Sequence, residues 1–126
     1  MVLLNVGRVL ARVLALASVA SASVQTLGDA TFDEFVDSLP PDALLLVDFY
    51  KPACRNCQRL SPVLDFLDAE WEREEPDPSR RWFKLAKVDC GKNPRLKKVF
   101  GITKIPDLRF VRAGQWSTYE GGRSIE

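Results

Sequence analysis

Two cysteines separated by two residues, Cys54 and Cys57, are the residues of this chain whose type and spacing best suit covalent chemistry. Just before them, residues 43–50 form a nearly continuous apolar run, which predicts a central strand buried on both faces. From position 57 to position 71, apolar side chains recur at steps of three and four residues, which is typical of one helix face. The cysteine pair therefore lies where a strand passes into a helix.

The start of a helix favours a thiolate at this place. The first N–H groups of a helix are unpaired and its dipole is positive there, so the pKa of a Cys-x-x-Cys thiol falls well below that of a free thiol. We expect Cys54, the more exposed of the two, to be the attacking nucleophile. Cys57 lies one turn further and can close onto Cys54 to release a mixed disulfide. The pair is predicted to be a dithiol/disulfide switch.

Composition limits the other chemistry that is open to the chain. Its 126 residues suffice for one domain, and its 46% hydrophobic and 28% charged residues are ordinary for a globular protein. A formal net charge of +1 without a basic stripe argues against nucleic-acid binding. The sequence has no histidine and three cysteines, which argues against a Cys/His catalytic pair and a four-ligand zinc site. We expect neither a metal nor a cofactor.

The N-terminal segment has the pattern of a secretory signal peptide over residues 1–22. Two arginines precede small and apolar residues at 13–22, and no acidic residue occurs before Asp29. A small-x-small motif predicts cleavage after Ala22, with Ser23 as the second choice. A mitochondrial transit peptide is the alternative, because the segment is also poor in acids. The apolar run is about a dozen residues, shorter than the ~20 that a membrane span needs.

The remaining pattern alternates strands and helices. Strands are predicted at 24–27, 43–50, 82–89, 108–111 and 116–119, and helices from residue 31, over 54–75 and from residue 94. Thr31 and Glu34 have the spacing of a capping box at the first of these helices. Asn93 is predicted to cap the last helix, with Pro94 at its first position.

This order of elements resembles a thioredoxin fold, and in particular a catalytic domain of the protein disulfide isomerase family. The segments that carry the resemblance follow the order of the family: Val47-Asp48-Phe49-Tyr50, Cys54-Arg55-Asn56-Cys57, Leu60-Ser61-Pro62, Lys87-Val88-Asp89-Cys90, Ile105-Pro106, Phe110-Val111-Arg112-Ala113-Gly114 and Tyr119-Glu120-Gly121-Gly122-Arg123. The resemblance implies an α/β domain over residues 23–126, with a central mixed β-sheet flanked by helices. The family's C-terminal helix is expected to be cut short here, so we expect the chain to be a fragment of a longer protein; the alternative is an incomplete and less stable domain.

The resemblance implies a role for each matching residue near the cysteines. Cys54 matches the nucleophile and Cys57 the resolving thiol. Asp48 matches a buried carboxylate that shuttles the proton of the resolving cysteine, and burial suits that role because it disfavours the charged form. Lys87 matches the lysine that pairs with this carboxylate. The alternative for Asp48 is a buried acid that is merely paired with Lys87.

Two further matches lie later in the chain. Pro106 matches the cis-proline that faces the disulfide, and the backbone of Ile105 is expected to offer hydrogen bonds to an extended substrate chain. The alternative for Pro106 is a proline that only starts a strand. Arg123 matches an arginine that tunes the resolving cysteine, although an ordinary surface arginine is nearly as good an interpretation.

Some residues depart from the family's pattern. The isomerases usually have tryptophan before the first cysteine and Gly-His between the two, whereas this chain has Ala53 and Arg55-Asn56. The loss of the histidine leaves the expected reduction potential anywhere from about −270 mV to about −180 mV. Cys90 is expected to be a buried inert thiol, with a regulatory or intermolecular disulfide as the alternative.

The predicted function is that of a thiol–disulfide oxidoreductase or disulfide isomerase that acts on protein substrates in the secretory pathway. Its expected partners are cysteine-containing client proteins and a redox partner such as glutathione or an oxidase. The expected location is the endoplasmic reticulum lumen or the cell exterior, with the mitochondrion as the alternative. The competing function is a redox-idle thioredoxin-like module that binds or chaperones clients.

Overall fold

The structure is a computed structural model that describes residues 24–121. Its elements are β1 (Gln25–Leu27), α1 (Phe32–Asp37), β2 (Leu44–Tyr50), α2 (Arg55–Glu74), a 3-10 turn (Pro78–Arg80), β3 (Phe83–Asp89), α3 (Pro94–Val99), β4 (Asp107–Arg112) and β5 (Gln115–Thr118). The predicted signal peptide, the C-terminal residues and Arg123 lie outside the described residues.

The five strands form one mixed sheet in the order β1-β3-β2-β4-β5. The pairs β1–β3 and β3–β2 are parallel, whereas β2–β4 and β4–β5 are antiparallel. Helices connect the parallel strands, as parallel pairing requires. The predicted thioredoxin fold, with a mixed sheet flanked by helices, is therefore confirmed.

The sheet buries both of its faces along β2. Leu45, Val47 and Phe49 belong to the core cluster that contains Phe32 of α1 and Leu96 of α3. The intervening Leu46 belongs to a second cluster, with Leu60 and Leu64 of α2. This alternation explains the apolar run in the sequence, because successive side chains of a strand point to opposite faces. It also places Asp48, which is 4% exposed, on the α2 face.

The capping box predicted at the start of α1 does not form. Thr31 does occupy the N-cap position, but its hydroxyl makes no capping bond to the helix. The Thr31 Oγ1 instead accepts a hydrogen bond from the N–H of Gly28 at 3.0 Å. The hydroxyl is thus used to close the turn that leads into the helix.

At α3 the predicted N-cap residue and the proline at the first helical position are confirmed, but the side chain of Asn93 does not make the capping bond. Asn93 lies at the N-cap position, but its side chain accepts from the N–H of Asp29 at 2.8 Å and donates to the carbonyl of Asp89 at 2.9 Å. The carboxylate of Asp29 caps the helix in its place, accepting from the N–H groups of Leu96 at 2.9 Å and Arg95 at 3.2 Å. The cap therefore comes from the loop between β1 and α1.

The hairpin between β4 and β5 lies between the two strands predicted at 108–111 and 116–119. Its central residues, Ala113 and Gly114, have φ values of 49° and 77°. Positive φ at both positions is what a type I′ turn requires, and this turn matches the twist of the two strands.

Helix α2 has 20 residues, of which Cys57, Leu60 and Leu64 are buried. Within residues 24–121, no helix is both long enough and apolar enough to cross a membrane.

Candidate active site

Cys54 is the N-cap residue of α2, and its backbone is extended, with φ −76° and ψ 118°. Its Sγ accepts a hydrogen bond from the N–H of Cys57 at 3.1 Å. The two cysteines form a disulfide, with their Cα atoms 5.1 Å apart. In the reduced state this N–H and the positive end of the helix dipole favour a thiolate on Cys54.

The two sulfurs differ in their access to solvent. Cys54 is half-buried, whereas Cys57 is 3% exposed. A client sulfur can therefore approach Cys54 but not Cys57. This difference matches the expected division of the pair into an attacking and a resolving thiol.

The peptide bond between Ile105 and Pro106 is cis and lies against the disulfide. The carbonyl oxygen of Ile105 is 4.0 Å from the Sγ of Cys54. Strand pairing of β4 with β2 begins only at Asp107, which is opposite Phe49. The backbone of Ile105 thus precedes the paired part of the strand, next to the more accessible sulfur.

Asp48 and Lys87 lie side by side on the sheet beneath the helix. They are direct register partners on the parallel strands β2 and β3. Both line a cavity of about 120 Å³ that also contains Cys57. The structure thus brings the predicted carboxylate and lysine together with the buried cysteine.

Five other residues line this cavity, and none of them was assigned a role from the sequence: Tyr50, Lys51, Pro52, Gln58 and Ser61. Burial, followed by the nearby carboxylates of Asp89 and Asp48, raises the pKa of the Tyr50 phenol. The phenol is therefore protonated at neutral pH and available as a hydrogen-bond donor. The sequence held a signal for it, because residues two apart on a strand share a face.

A second cavity, of about 380 Å³, borders the cis-proline. It is lined by Asn56, Arg59, Leu60 and Pro106. Arg59 was not singled out from the sequence, and Leu60 was noted there only as part of the Leu60-Ser61-Pro62 segment. The helical spacing could have pointed to both, because they lie three and four residues beyond Asn56.

The remaining candidates lie apart from this arrangement or outside the described residues. Cys90 directly follows β3, is 3% exposed and forms no disulfide within residues 24–121. Burial raises the pKa of its thiol, although Lys97 and Lys51 oppose this effect. The proposed tuning role of Arg123 remains a prediction.

Comparisons with known proteins agree with this geometry. Residues 23–126 match the family model described as Thioredoxin. The chain is 33% identical to Protein disulfide-isomerase A3 of Gallus gallus over 110 residues, or 86% of this chain and 20% of that protein. It is 34% identical to Thioredoxin 1 of Nostoc sp. over 95 residues, or 75% of this chain and 78% of that protein. Four disulfide isomerase relatives are matched over 15% to 27% of their own lengths.

Solved structures show the same relationship. Human ERp44 form I is similar with a TM-score of 0.69 and 27% identity, over 82% of this chain and 27% of that chain. The first thioredoxin domain of mouse Protein disulfide-isomerase A4 is similar with a TM-score of 0.65 and 26% identity, over 80% of this chain and 66% of that chain. Fold, cysteine geometry and relatives are together consistent with a thiol–disulfide oxidoreductase. The chain belongs to the thioredoxin family.

Proposed function

We propose that this domain makes, breaks or reshuffles disulfide bonds in protein substrates of the secretory pathway. One observation carries the proposal: Cys54 and Cys57 are bonded to each other at the start of a helix, and the accessible sulfur faces the cis peptide of Pro106. This arrangement supplies an activated thiol, a second thiol within its reach and a neighbouring surface for a substrate chain.

The reduced domain would act in two exchange steps. The Cys54 thiolate attacks one sulfur of a client disulfide, which forms a mixed disulfide and releases the other client sulfur as a thiolate. The Cys57 thiolate then attacks the Sγ of Cys54, which closes the internal disulfide and releases the second client thiolate. The client gains two electrons and the domain loses two. Reduced glutathione then returns the pair to the dithiol. The reverse sequence oxidises a client and leaves the pair reduced, and oxidised glutathione or an oxidase re-forms the disulfide by taking up the two electrons.

Asp48 supplies the proton transfer that the second step needs. The Cys57 thiol is buried and must lose its proton before it can attack, and the Asp48 carboxylate faces the same cavity. At about 120 Å³ the cavity has room for bridging water, since one water takes about 30 Å³ in the liquid. The proton passes from the Cys57 thiol to Asp48 and returns in the reverse reaction, while the ammonium of Lys87 orients the carboxylate.

The backbone of Ile105 holds the substrate. An extended chain can add to a free backbone edge by main-chain hydrogen bonds, whatever its sequence. The position of Ile105 next to the Cys54 sulfur would align a client cysteine with the nucleophile.

The secretory location rests on the signal-like segment at residues 1–22 and on the disulfide isomerases among the relatives. N-terminal sequencing of the protein from a eukaryotic host tests it. A mature chain that begins at Ser23 or Val24 and is recovered from the secretory pathway supports the proposal. Recovery from mitochondria, or an uncleaved chain in the cytosol, contradicts it.

Turnover by cysteine variants tests the chemistry. With insulin as the disulfide substrate and glutathione as the reductant, Cys54→Ser should abolish turnover and Cys57→Ser should accumulate a mixed disulfide. Cys90→Ser is the matched control and should retain activity, because this thiol is buried. Full activity in the Cys54→Ser variant would refute the proposed oxidoreductase activity of the Cys54–Cys57 pair. If the wild-type protein shows no turnover and client binding is the same in the Cys54→Ser variant, the domain would instead be a binding module.

A further inference from the structure

The surface beside the disulfide carries two arginines on adjacent turns of α2. Arg55 is the first residue of the helix and Arg59 lies four residues on, so both are on one side of it. Both side chains are exposed. Arg59 lines the cavity of about 380 Å³ together with Asn56, Leu60 and Pro106.

These arginines lack acidic partners within the described part of the chain. The four ion pairs of residues 24–121 are Arg73–Glu70, Arg81–Glu72, Arg95–Asp33 and Arg109–Asp107. The first turn of α2 contains no acidic residue. Asp107, which follows Pro106, binds the guanidinium of Arg109 through two hydrogen bonds of 3.0 and 3.1 Å.

Helix stability does not explain this arrangement. Like charges four residues apart repel each other, and cations are disfavoured at the positive end of a helix dipole. An anion bound from outside would relieve both effects. Local preferences are broken in this way mainly at functional sites.

We infer that this cavity selects protein substrates in which acidic residues flank the reactive cysteine. The inference rests on the proposed function. A substrate chain beside Ile105 brings the residues next to its cysteine over the cavity, where the guanidinium groups of Arg59 and Arg55 meet an Asp or Glu carboxylate. Pro106, which is partly exposed, supplies apolar contact for the methylene groups of that side chain.

The expected preference is moderate because the arginines are exposed. An exposed ion pair changes an affinity by up to about fivefold. Two such pairs attract an acidic substrate and repel a basic one, so we expect a preference of about tenfold for the acidic over the basic substrate at low salt. The preference should fall as salt increases, because the Debye length shrinks from about 30 Å at 0.01 M to about 3 Å at 1 M.

Three synthetic peptide disulfides test the inference. Their sequences are identical except at the two positions that flank the cysteine, which are both Glu, both Gln or both Lys. The second-order rate constant of the reduced protein is measured with each peptide at 0.01 M and 0.5 M salt. We expect an order of Glu, Gln, Lys, with a Glu-to-Lys ratio of about ten at low salt that falls to about two at high salt.

Charge variants identify the residues responsible, with each rate normalised to that of the Gln peptide. Arg59→Gln should lower the Glu-to-Lys ratio at least twofold, and Arg59→Glu should reverse the preference. Arg80→Gln is the matched control: it removes one exposed charge in the 3-10 turn and should leave the ratio unchanged.

The outcomes separate this inference from the function on which it rests. Equal rates for the three peptides, with turnover intact, overturn the acidic preference alone. An equal loss of preference in Arg80→Gln and Arg59→Gln also overturns it, because net charge rather than the cavity would then be responsible. If no peptide is reduced by the wild-type protein, the proposed function itself fails.

Discussion

The Asp29 carboxylate stabilises helix α3 from a position 67 residues away from its partner Leu96, so its removal should destabilise the whole fold. Its two oxygens accept the N–H groups of Leu96 and Arg95. Its own N–H is held by Asn93, so the carboxylate is fixed in place before it binds the helix.

The size of the effect follows from these contacts. Loss of a helix cap costs about 0.5–2 kcal/mol, and a hydrogen bond to a charged group contributes about 1.5–3 kcal/mol. The N–H of Leu96 is partly buried and would lose its partner, whereas water can replace the bond to the exposed N–H of Arg95. We therefore expect Asp29→Ala to lower the free energy of unfolding by about 2 kcal/mol. Asp29→Asn should lose about half as much, because the amide oxygen can keep one bond but carries no charge.

Urea unfolding followed by circular dichroism measures this change, with an unchanged m-value as evidence for a comparable transition. The matched control is Asp33→Ala, which removes another acid near Arg95. Asp33 is 72% exposed in its ion pair with Arg95, so this variant should lose less than about 0.5 kcal/mol. Equal losses in Asp29→Ala and Asp33→Ala, or a loss below about 0.5 kcal/mol in the former, would refute the distant cap.

Three further predictions concern the site, the third cysteine and the hairpin. Asp48→Asn should slow resolution of the mixed disulfide by about 10²-fold at neutral pH, because general-base catalysis accelerates a reaction by at least that factor. Single-turnover kinetics measure this step, and Asp65→Asn, at an exposed position, is the control that should leave the rate unchanged. Burial raises the pKa of the Cys90 thiol, so the unfolded chain loses this proton at a lower pH than the folded chain does. The free energy of unfolding of the wild type should therefore fall above about pH 9, and it should fall less in Cys90→Ala. Urea titrations at a series of pH values measure this difference. Ala113→Asn should raise the midpoint temperature of thermal unfolding, because asparagine tolerates the positive φ at this position and removes about 0.5–1 kcal/mol of strain. Gly114→Ala should lower the midpoint temperature. A lower midpoint for Ala113→Asn than for Gly114→Ala would contradict the type I′ assignment.

The elements of the fold could be read from the sequence because their signals are local. The apolar run at 43–50 indicates a strand that is buried on both faces. The helical spacing from Cys57 to Trp71 indicates a helix that is buried on one face. The observed β2 and α2 agree with these predictions within one residue at each end.

The caps could not be predicted in the same way. Thr31 and Asn93 have side chains that suit a cap, but each makes a competing hydrogen bond: Thr31 with Gly28, three residues before it, and Asn93 with Asp29, 64 residues away. In α3 that competition is decided by the loop that contains Asp29, which only the folded sheet brings to the helix. Short polar side chains satisfy whichever backbone group is nearest: for Thr31 that group is local, whereas for Asn93 the tertiary structure determines it.

The sequence by itself determined the cysteine pair, because Cys54 and Cys57 need only one helical turn to meet. Only the tertiary structure decided what surrounds them. The parallel register of β2 and β3 sets Asp48 beside Lys87, in one cavity with Cys57, and the segment that leads into β4 brings Pro106 to the cavity that Arg59 lines. These contacts join residues that are distant in the chain, and they depend on strand register and helix packing, which no local pattern encodes.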